Sequence, residues 1–502
     1  MNFYHNGANV NTPKGAIFPC VVLAKNTWDD FGYKTTFTAH YYSKAKSITK
    51  LGELKILRRG EYDTSLGNNF EQLDDSYCSL GQSLEYYENL LKLGSKVNGP
   101  ILRSLNDVAY SDAIAAAFIN EEGFSKSLTR FSEAEKAFEE GRLLFAHIVP
   151  VATEKNFTFK FLCRLTGAEA HHDMNFDFTP DHTDLYRIVA LIGKNGTGKT
   201  QVLARLASAM SGWNRDAGEF IPKRPSFSKV IAISYSVFDR FDRPEEGAES
   251  FSYVYCGIRR GNQTQTELEG QTVDRAMRKD EVDAIYSQDD MERKLLKALE
   301  QVQALGRSVQ WHRVLSELLE EKISVKSLRK RDGSLNYSVY ERFSSGQSIL
   351  VRLMSEVIAN ISDESIVLFD EPEIHLHPDA LSSLVRAFHT LLKEFHSYAV
   401  LATHSPLILQ QIPSKRVQVF RREGGYPIVT TLGIESFGEN LTVITNEVFG
   451  TSGLYGNYQE QLRDLAASYS YEQIMGFFGG RLGLNARAFL SSLYSPTKTG
   501  TA

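Results

Sequence analysis

Residues 187–200 read RIVALIGKNGTGKT, and this stretch decides the fold. Residues 188–192 form a short, unbroken apolar run, which is typical of a parallel strand buried on both faces. A complete G-x-x-x-x-G-K-[ST] phosphate loop follows, in which glycines let successive backbone N–H groups curl around anionic oxygens. We expect Lys199 to contact the β- and γ-phosphates of ATP, and the Thr200 hydroxyl to contact Mg²⁺. The loop residues predicted to hold the nucleotide are Gly193, Asn195, Gly196, Gly198, Lys199 and Thr200.

Two later strands are each predicted to end in residues suited to nucleotide chemistry. The apolar run 366–369 leads into Asp370 and Glu371. Asp370 is placed to hold Mg²⁺, and Glu371 to orient or deprotonate an attacking water; an acid pair that only ends a strand is the weaker alternative. A second run, 398–403, ends at His404. We expect His404 to contact the γ-phosphate, because open α/β sheets bind ligands at the carboxyl ends of their strands.

The composition indicates an ordinary globular protein. The 502 residues suffice for two to four domains, and 42% are hydrophobic and 23% charged. A formal net charge of −5 gives no overall attraction to nucleic acid or to an anionic membrane. The four cysteines are widely spaced, which favours isolated reduced thiols. Because we find neither a signal-peptide pattern nor 18 consecutive apolar residues, we expect a cytoplasmic location.

Three regions are predicted along the chain. Residues 1–155 form an α+β module of unknown role, residues 156–432 the nucleotide-binding core with a helical insertion at 261–335, and residues 433–502 a helical segment with a disordered tail. The fold class is α/β, with a mostly parallel core sheet and an extra α+β module. His171, His172 and Asp173 are adjacent in sequence, but neighbours in an extended chain point to opposite sides, which argues against one shared metal.

The order of these motifs resembles that of the ATP-binding-cassette (ABC) superfamily. In this chain the phosphate loop is followed by the serine–glycine signature FSSGQS at 343–348, then by the acid pair and the switch histidine. The run DEPEIHLHP at 370–378 is similar to the EPExHLHP hallmark of the SMC/RecF-like ATPases that include overcoming-lysogenization-defect proteins. In layout the chain is most similar to the ATPase subunit of the Septu defence system, and less closely to that of PARIS. The resemblance covers about residues 157–432.

This resemblance implies a head-to-head homodimer, or a higher oligomer, that sandwiches ATP. The Ser344 hydroxyl and the Gly346 amide of one copy, with Gln347 beside them, would reach the γ-phosphate held by the phosphate loop of the other copy. A helix N-terminus suits this role because it supplies donors and a favourable dipole to an anion. Phe343 and Ser345 stand where the family usually has leucine and glycine. This departure points to slow hydrolysis more than to weak binding.

The remaining implied roles are less specific. His375 and His377 are expected at the dimer seam, and Gln263 and Gln265 are candidates for the glutamine that senses Mg²⁺. Overcoming-lysogenization-defect proteins carry a nuclease domain after this core. The roughly 70 residues that follow here are too few for such a domain, so we expect any nuclease to be a separate partner.

Three functions compete at this stage. The first is an ATP-hydrolysing regulatory subunit of an antiphage defence complex, in which the nucleotide state controls a separately encoded effector nuclease. The second is a DNA repair or recombination ATPase that clamps DNA through the dimer cleft. The third is a scaffold that binds ATP without turning it over. All three require ATP, and the first two also require Mg²⁺ and hydrolysis.

Overall fold

A computed structural model of the chain describes residues 1–5, 7–26, 32–145, 157–237, 239–243, 252–259, 285–319, 323–330, 333–374, 376–450 and 456–494. Residues 2–145 contribute a six-stranded sheet with helices packed against it, and the strand order is β5-β1-β2-β3-β4-β6. Its strands are β1 (Asn2–His5), β2 (Cys20–Lys25), β3 (Thr36–Lys44), β4 (Ser47–Arg58), β5 (Asn69–Phe70) and β6 (Tyr77–Gly81). Its helices are α1 (Leu84–Lys92), α2 (Ser95–Ser104), α3 (Asp112–Phe118) and α4 (Ser132–Phe145).

Local sequence explains where the helical half of this module begins. The Ser83 side chain accepts a hydrogen bond from the Tyr86 backbone N–H and so caps α1. Tyr86, Tyr87 and Leu90 then lie on one face and are fully buried against the sheet. The predicted mixture of early strands and later helices is therefore confirmed, although the outer boundary of the module remains a prediction.

The second, larger sheet positions the phosphate loop. Its strand order is β12-β11-β13-β14-β9-β15-β16, and every neighbouring pair is parallel except β15 with β16. The mostly parallel α/β fold predicted from the sequence is confirmed. A smaller antiparallel sheet, in the order β10-β7-β8, packs beside it. The strands of both sheets are β7 (Thr158–Cys163), β8 (His172–Asp177), β9 (Ile188–Gly193), β10 (Glu219–Ile221), β11 (Val230–Ser234), β12 (Tyr253–Gly257), β13 (Ile366–Asp370), β14 (Tyr398–Thr403), β15 (Val417–Glu423) and β16 (Tyr426–Thr431).

Strand β9, in the interior of the large sheet, is buried along its whole length because both of its faces are covered. Ile188, Ala190 and Ile192 belong to one hydrophobic cluster, and Val189 and Leu191 belong to another on the opposite side of the sheet. Strands with two covered faces read as continuous apolar runs instead of alternating ones. This is why the run 188–192 could be recognised as a strand.

Helices cover both faces of the large sheet. The helices predicted as an insertion pack directly on it, since Leu295 of α6 and Trp311 of α7 are fully buried in the same cluster as Ile192. The helices of this region are α5 (Lys199–Ser211), α6 (Gln288–Ala304), α7 (Ser308–Leu315), α8 (Val325–Leu328), α9 (Tyr337–Tyr340), α10 (Ser345–Asn360), α11 (Pro378–Glu394) and α12 (Pro406–Leu409).

The chain continues into further helices after β16. α13 (Leu441–Phe449) packs on the large sheet through Ile444 and Val448. α14 (Gly456–Ala466), α15 (Tyr471–Phe477) and α16 (Leu484–Tyr494) form a small cluster around Leu462, Ile474 and Leu490. The predicted disordered tail lies outside the described residues. Among the described helices, none is both long enough and apolar enough to cross a lipid bilayer.

Helix α4 joins the N-terminal module to the core. The Lys136 ammonium lies 2.6 Å from the Ser228 hydroxyl and 2.7 Å from the Glu364 carboxylate. The Arg224 Nε donates to the Glu135 carboxylate at 3.0 Å. Ser228 and Glu364 come just before β11 and β13. The module therefore sits at the amino ends of these parallel strands, the end opposite the phosphate loop.

Candidate functional site

The phosphate loop connects β9 to α5 at the carboxyl edge of the large sheet. Gly198 caps α5 with φ of 98°, in the left-handed region that favours glycine. Gly193 passes so close to β15 that an added Cβ would lie 2.2 Å from the Phe420 carbonyl oxygen. A side chain at either position would deform the loop. Because α5 begins at Lys199, the free N–H groups of its first turn are available to phosphate oxygens.

Lys199 is only 4% exposed and lies across the loop that precedes it. Its ammonium donates to the carbonyl oxygens of Gly193 at 3.0 Å and Lys194 at 3.2 Å. Burial lowers the pKa of Lys199 to about 8, although the nearby carboxylates Glu371, Asp370 and Glu373 act in the opposite direction. An added polyanion would favour the charged form of this side chain.

Thr200 and Asp370 together offer oxygen ligands that fit Mg²⁺. The Thr200 hydroxyl donates to Asp370 Oδ1 at 3.0 Å, whereas the buried Oδ2 of Asp370 has no hydrogen-bond partner. Burial, followed by the charge of Glu371, raises the pKa of Asp370 to about 7. A divalent cation at this position would offset both effects, because Mg²⁺ binds through one or two carboxylates together with substrate phosphates and water.

Glu371 and His404 meet although they follow different strands. The His404 Nε2 lies 3.3 Å from Glu371 Oε1, and His404 Nδ1 lies 3.5 Å from the Lys199 ammonium. Since an ammonium can only donate, Nδ1 accepts and Nε2 carries the proton that faces Glu371. This hydrogen bond from His404 is the main cause that lowers the pKa of Glu371. Glu371 itself has φ of 50°, a strained backbone for a non-glycine residue.

Glu373 is a site residue that the sequence reasoning missed. Its carboxylate accepts from the Thr403 hydroxyl and from the backbone N–H of His404. It thereby ties the segment after β13 to the end of β14 and fixes the backbone that presents His404. The signal was present in the sequence, because Glu373 is the second glutamate of the EPExHLHP-like run.

A cavity of about 270 Å³ lies over the phosphate loop. Glu371 and His404 line it beside Lys199 and Thr200. The rest of its wall comes from the phosphate loop and the start of α5, from His172 on β8, from the turn after β7 and from the hairpin formed by β15 and β16. The structure thus brings together the predicted phosphate-loop, base and switch residues around one space, with Asp370 buried beneath Thr200. The chemical role of each residue remains a prediction.

Comparisons with known proteins agree with this geometry at the level of the domain. Residues 223–410 match the family described as "AAA domain, putative AbiEii toxin, Type IV TA system". That range begins after the phosphate loop and contains Asp370, Glu371 and His404. Residues 223–410 are thus similar to an AAA-type ATPase domain. The order of motifs predicted an ATPase domain, and the match to an AAA domain supports that prediction. The finer resemblance to overcoming-lysogenization-defect and Septu proteins stays a prediction.

A relative of similar length is also found. The chain is 27% identical over 520 residues to Protein ea59 of Escherichia phage lambda, which covers 96% of this chain and 97% of that protein. Among solved structures, cbiO1 from Clostridium perfringens, part of the ABC transporter complex cbiONQ, is 14% identical, with 65% of this chain and 100% of that chain covered and a TM-score of 0.27. An ATP-binding subunit of an ABC transporter is 16% identical, with 58% and 99% covered and a TM-score of 0.30.

The serine–glycine signature of the ATPase domain lies apart from the cavity. Ser344 caps α10 in a reciprocal arrangement: its hydroxyl accepts from the Gln347 N–H at 3.3 Å, and its own N–H donates to the Gln347 side chain at 2.9 Å. Ser344 is exposed and Gly346 half-buried. Neither these two residues nor Gln347 are among the described residues that line the cavity. These three residues therefore do not contribute to the cavity over the phosphate loop of their own chain.

The other candidate residues divide into two groups. His375, Gln263 and Gln265 lie outside the described residues, so their predicted roles are untested. His377 is exposed at the start of α11. In the adjacent trio, His172 is buried on β8 and Asp173 faces outward, as the alternation of a strand requires. Within the part of the chain that the structure describes, no group of three or more His, Cys, Asp or Glu side chains is arranged to hold a metal ion.

Proposed function

We propose that this chain is an ATP-hydrolysing regulatory subunit that dimerises around ATP and controls a separately encoded effector nuclease in an antiphage defence complex. One observation carries the ATPase part of the proposal. Lys199, Glu371 and His404 converge on a single cavity, whereas the signature at Ser344 lies outside it with an exposed helix N-terminus. A second copy is needed to bring a signature to that cavity.

The chain's own residues account for the hydrolysis step. In the bound state the phosphate loop and Lys199 hold the triphosphate, and Thr200 and Asp370 would hold Mg²⁺, which neutralises phosphate charge when bound. Glu371 is ionised at neutral pH because the hydrogen bond from His404 lowers its pKa. It therefore accepts a proton from the attacking water as the new P–O bond forms and the bond to ADP breaks.

The dimer follows from the chemistry of α10. A helix of 16 residues has free N–H groups in its first turn and the positive end of its dipole there. Only one of these groups is satisfied by the Ser344 cap described above. In a second copy facing the cavity, the Ser344 hydroxyl and the Gly346 N–H would donate to the γ-phosphate. ATP would thus join two copies, and hydrolysis would release them.

One finding supports the wider role in defence. The matching family is described as a putative AbiEii toxin of a type IV TA system. A chain that binds and releases a second copy with each ATP cycle is suited to gate a partner enzyme. A nuclease that co-purifies with the chain in an ATP-dependent way would support this role. Tight binding of duplex DNA with a steep salt dependence would instead favour the DNA-clamping alternative.

The decisive experiment uses Glu371→Gln. Without its general base, the variant should hydrolyse ATP about 10²- to 10⁴-fold more slowly while still binding it. ATP-joined dimers should then accumulate, and light scattering should show the molar mass doubling when Mg-ATP is added. Combining this change with Lys199→Ala should prevent the increase. A mass that does not change with ATP would exclude the ATP sandwich.

A further inference from the structure

The nucleotide cavity has a second end, away from Glu371 and His404. Two chain segments form it: the turn that follows β7 and the hairpin that joins β15 to β16. The residues of these segments that line the cavity are Leu165, Thr166, Ala168, Arg422, Gly425 and Pro427.

Arg422 bridges the two segments. Its Nε donates to the Gly424 carbonyl at 2.8 Å within the hairpin, and its Nη2 reaches the Gly167 carbonyl at 3.5 Å in the turn. A backbone bond from the Glu169 N–H to the Gly425 carbonyl, at 2.9 Å, links the same segments. The hydrogen bonds of a guanidinium lie in its plane. The two bonds therefore fix the plane of the Arg422 guanidinium between the hairpin and the turn. They leave the flat faces of the guanidinium for other contacts.

The position of the phosphate loop decides what occupies this end. In the proposed binding mode the triphosphate lies over Gly196 to Thr200, with its γ-phosphate towards Glu371 and His404. The nucleoside would then extend towards Arg422. Among the described residues that line the cavity there is no Phe, Tyr or Trp. His172 does line it, but that ring is buried and packs against Gly198. Among the described residues that line the nucleoside end, Arg422 is thus the exposed side chain that carries a planar group.

We propose that Arg422 stacks its guanidinium on the base of a bound purine nucleotide and supplies most of the affinity for the nucleoside. Stacking recognises the π-face of a base, which adenine and guanine share. Directed hydrogen bonds to the base edge, which would separate the two purines, need fixed polar side chains. Among the described side chains that line this end, Thr166 is the only polar one besides Arg422. The site therefore takes ATP and GTP with similar affinity. This inference rests on the proposed ATP binding and adds the nucleoside determinant.

The test measures dissociation constants by calorimetry, with Mg²⁺ present, for ATP, GTP and inorganic tripolyphosphate. Arg422→Ala should weaken ATP and GTP about 3- to 30-fold, a typical cation–π contribution, and leave tripolyphosphate unchanged. Arg422→Lys should fall between the unmodified chain and the alanine variant, because an ammonium keeps its attraction to a π-face but has no planar face to stack on the base. Arg421→Ala is the matched control: Arg421 is also exposed on β15, but its guanidinium bonds to the Glu447 carbonyl.

Each contrary result has a distinct meaning. An equal loss of tripolyphosphate affinity in Arg422→Ala would show that Arg422 binds phosphate and overturn the stacking role. Full ATP affinity in Arg422→Lys would do the same, since charge alone would then suffice. A preference of about 100-fold for one purine would overturn the shared recognition of ATP and GTP. If the unmodified chain binds none of the three ligands, the proposed function itself fails.

Discussion

The carboxylate of Glu373 accepts the Thr403 hydroxyl through both of its oxygens, at 3.0 Å and 2.9 Å. Thr403 is the last residue of β14, and the next residue is His404. Glu373 also accepts the backbone N–H of His404, so one side chain fixes the end of the strand and the residue that follows it. The orientation of the histidine towards Glu371 therefore depends on a residue that does not line the cavity.

Replacing Glu373 should impair turnover more than binding. Glu373→Gln keeps the size of the side chain but replaces one carboxylate oxygen with an amide nitrogen, which donates. That donor would face either the Thr403 hydroxyl or the His404 N–H, both of which donate to the carboxylate. We expect kcat to fall about 10- to 100-fold, as for other residues that orient a site through a partner, with the ATP dissociation constant within about twofold. Glu88→Gln, at an exposed carboxylate on α1 of the N-terminal module, serves as the control. Unchanged turnover in Glu373→Gln would show that His404 needs no such support.

Lys199→Ala should remove nucleotide binding. The phosphate loop has two charged side chains, Lys199 and the exposed Lys194. Because Lys199 is the one expected to contact the phosphates, its loss should lower ATP affinity at least about 100-fold. Lys194→Ala is the matched control, because Lys194 is exposed and contacts Lys199 only through its backbone carbonyl. Fluorescent ATP titration checks both variants. An equal loss in the two would mean that general positive charge, and not the position of Lys199, holds the nucleotide.

Ser344→Asn separates the two roles of the signature serine. Asparagine caps helices as well as serine does, so α10 should keep its stability, whereas alanine should cost about 1 kcal/mol. The variant should bind ATP normally at concentrations where the chain is monomeric, because Ser344 does not line its own cavity. ATP-dependent dimers and hydrolysis should decrease. A tenfold loss of ATP affinity in the monomer would place Ser344 at its own nucleotide and contradict the action between copies.

Asp107 should make the N-terminal module less stable as the pH rises. Burial raises the pKa of this carboxyl to about 7, although it accepts from the Tyr87 hydroxyl and from the Ala109 and Tyr110 N–H groups. The folded state therefore holds the proton at a pH where the unfolded state, with a pKa of about 3.9, has lost it. The contribution of Asp107 to the free energy of unfolding is therefore fully present below about pH 4, and it decreases as the pH rises to about 7.

Asp107→Asn mimics the protonated carboxyl and should remove this dependence. Relative to the unmodified chain, the variant should gain on the order of 2 kcal/mol in unfolding free energy between pH 5 and pH 8. Urea denaturation at the two pH values measures the difference. Parallel changes in the two proteins would mean that Asp107 is ionised in the folded module throughout this range.

Much of the site could be predicted because its signals are local. The glycines of the phosphate loop, and the apolar runs that end at Asp370 and His404, depend on a few consecutive residues. Contacts between distant segments gave no such signal. The partner of Glu373 lies 30 residues away, and Arg422 meets Gly167 across 255 residues. Nothing in the residues around either of them indicates these pairings.

Helix α13 lies inside the segment 433–502 that was predicted to be helical, although its own residues favour a strand. Its sequence, LTVITNEVF, is rich in β-branched residues, which favour strands when considered alone. The helix forms because Asn440 caps it, with its side chain accepting from the Thr442 N–H, and because Ile444 and Val448 are buried on one face. Tertiary packing outweighs a propensity difference of a few tenths of a kcal/mol per residue.

The attachment of the N-terminal module through Lys136 has a consequence for any larger particle. Ser228 and Glu364 anchor the module at the pole opposite the nucleotide. In the proposed ATP-joined pair the second copy approaches from the other pole, so we expect the two modules to lie at the far tips of the pair. Each tip is then free to engage its own target, and a single short ligand cannot touch both.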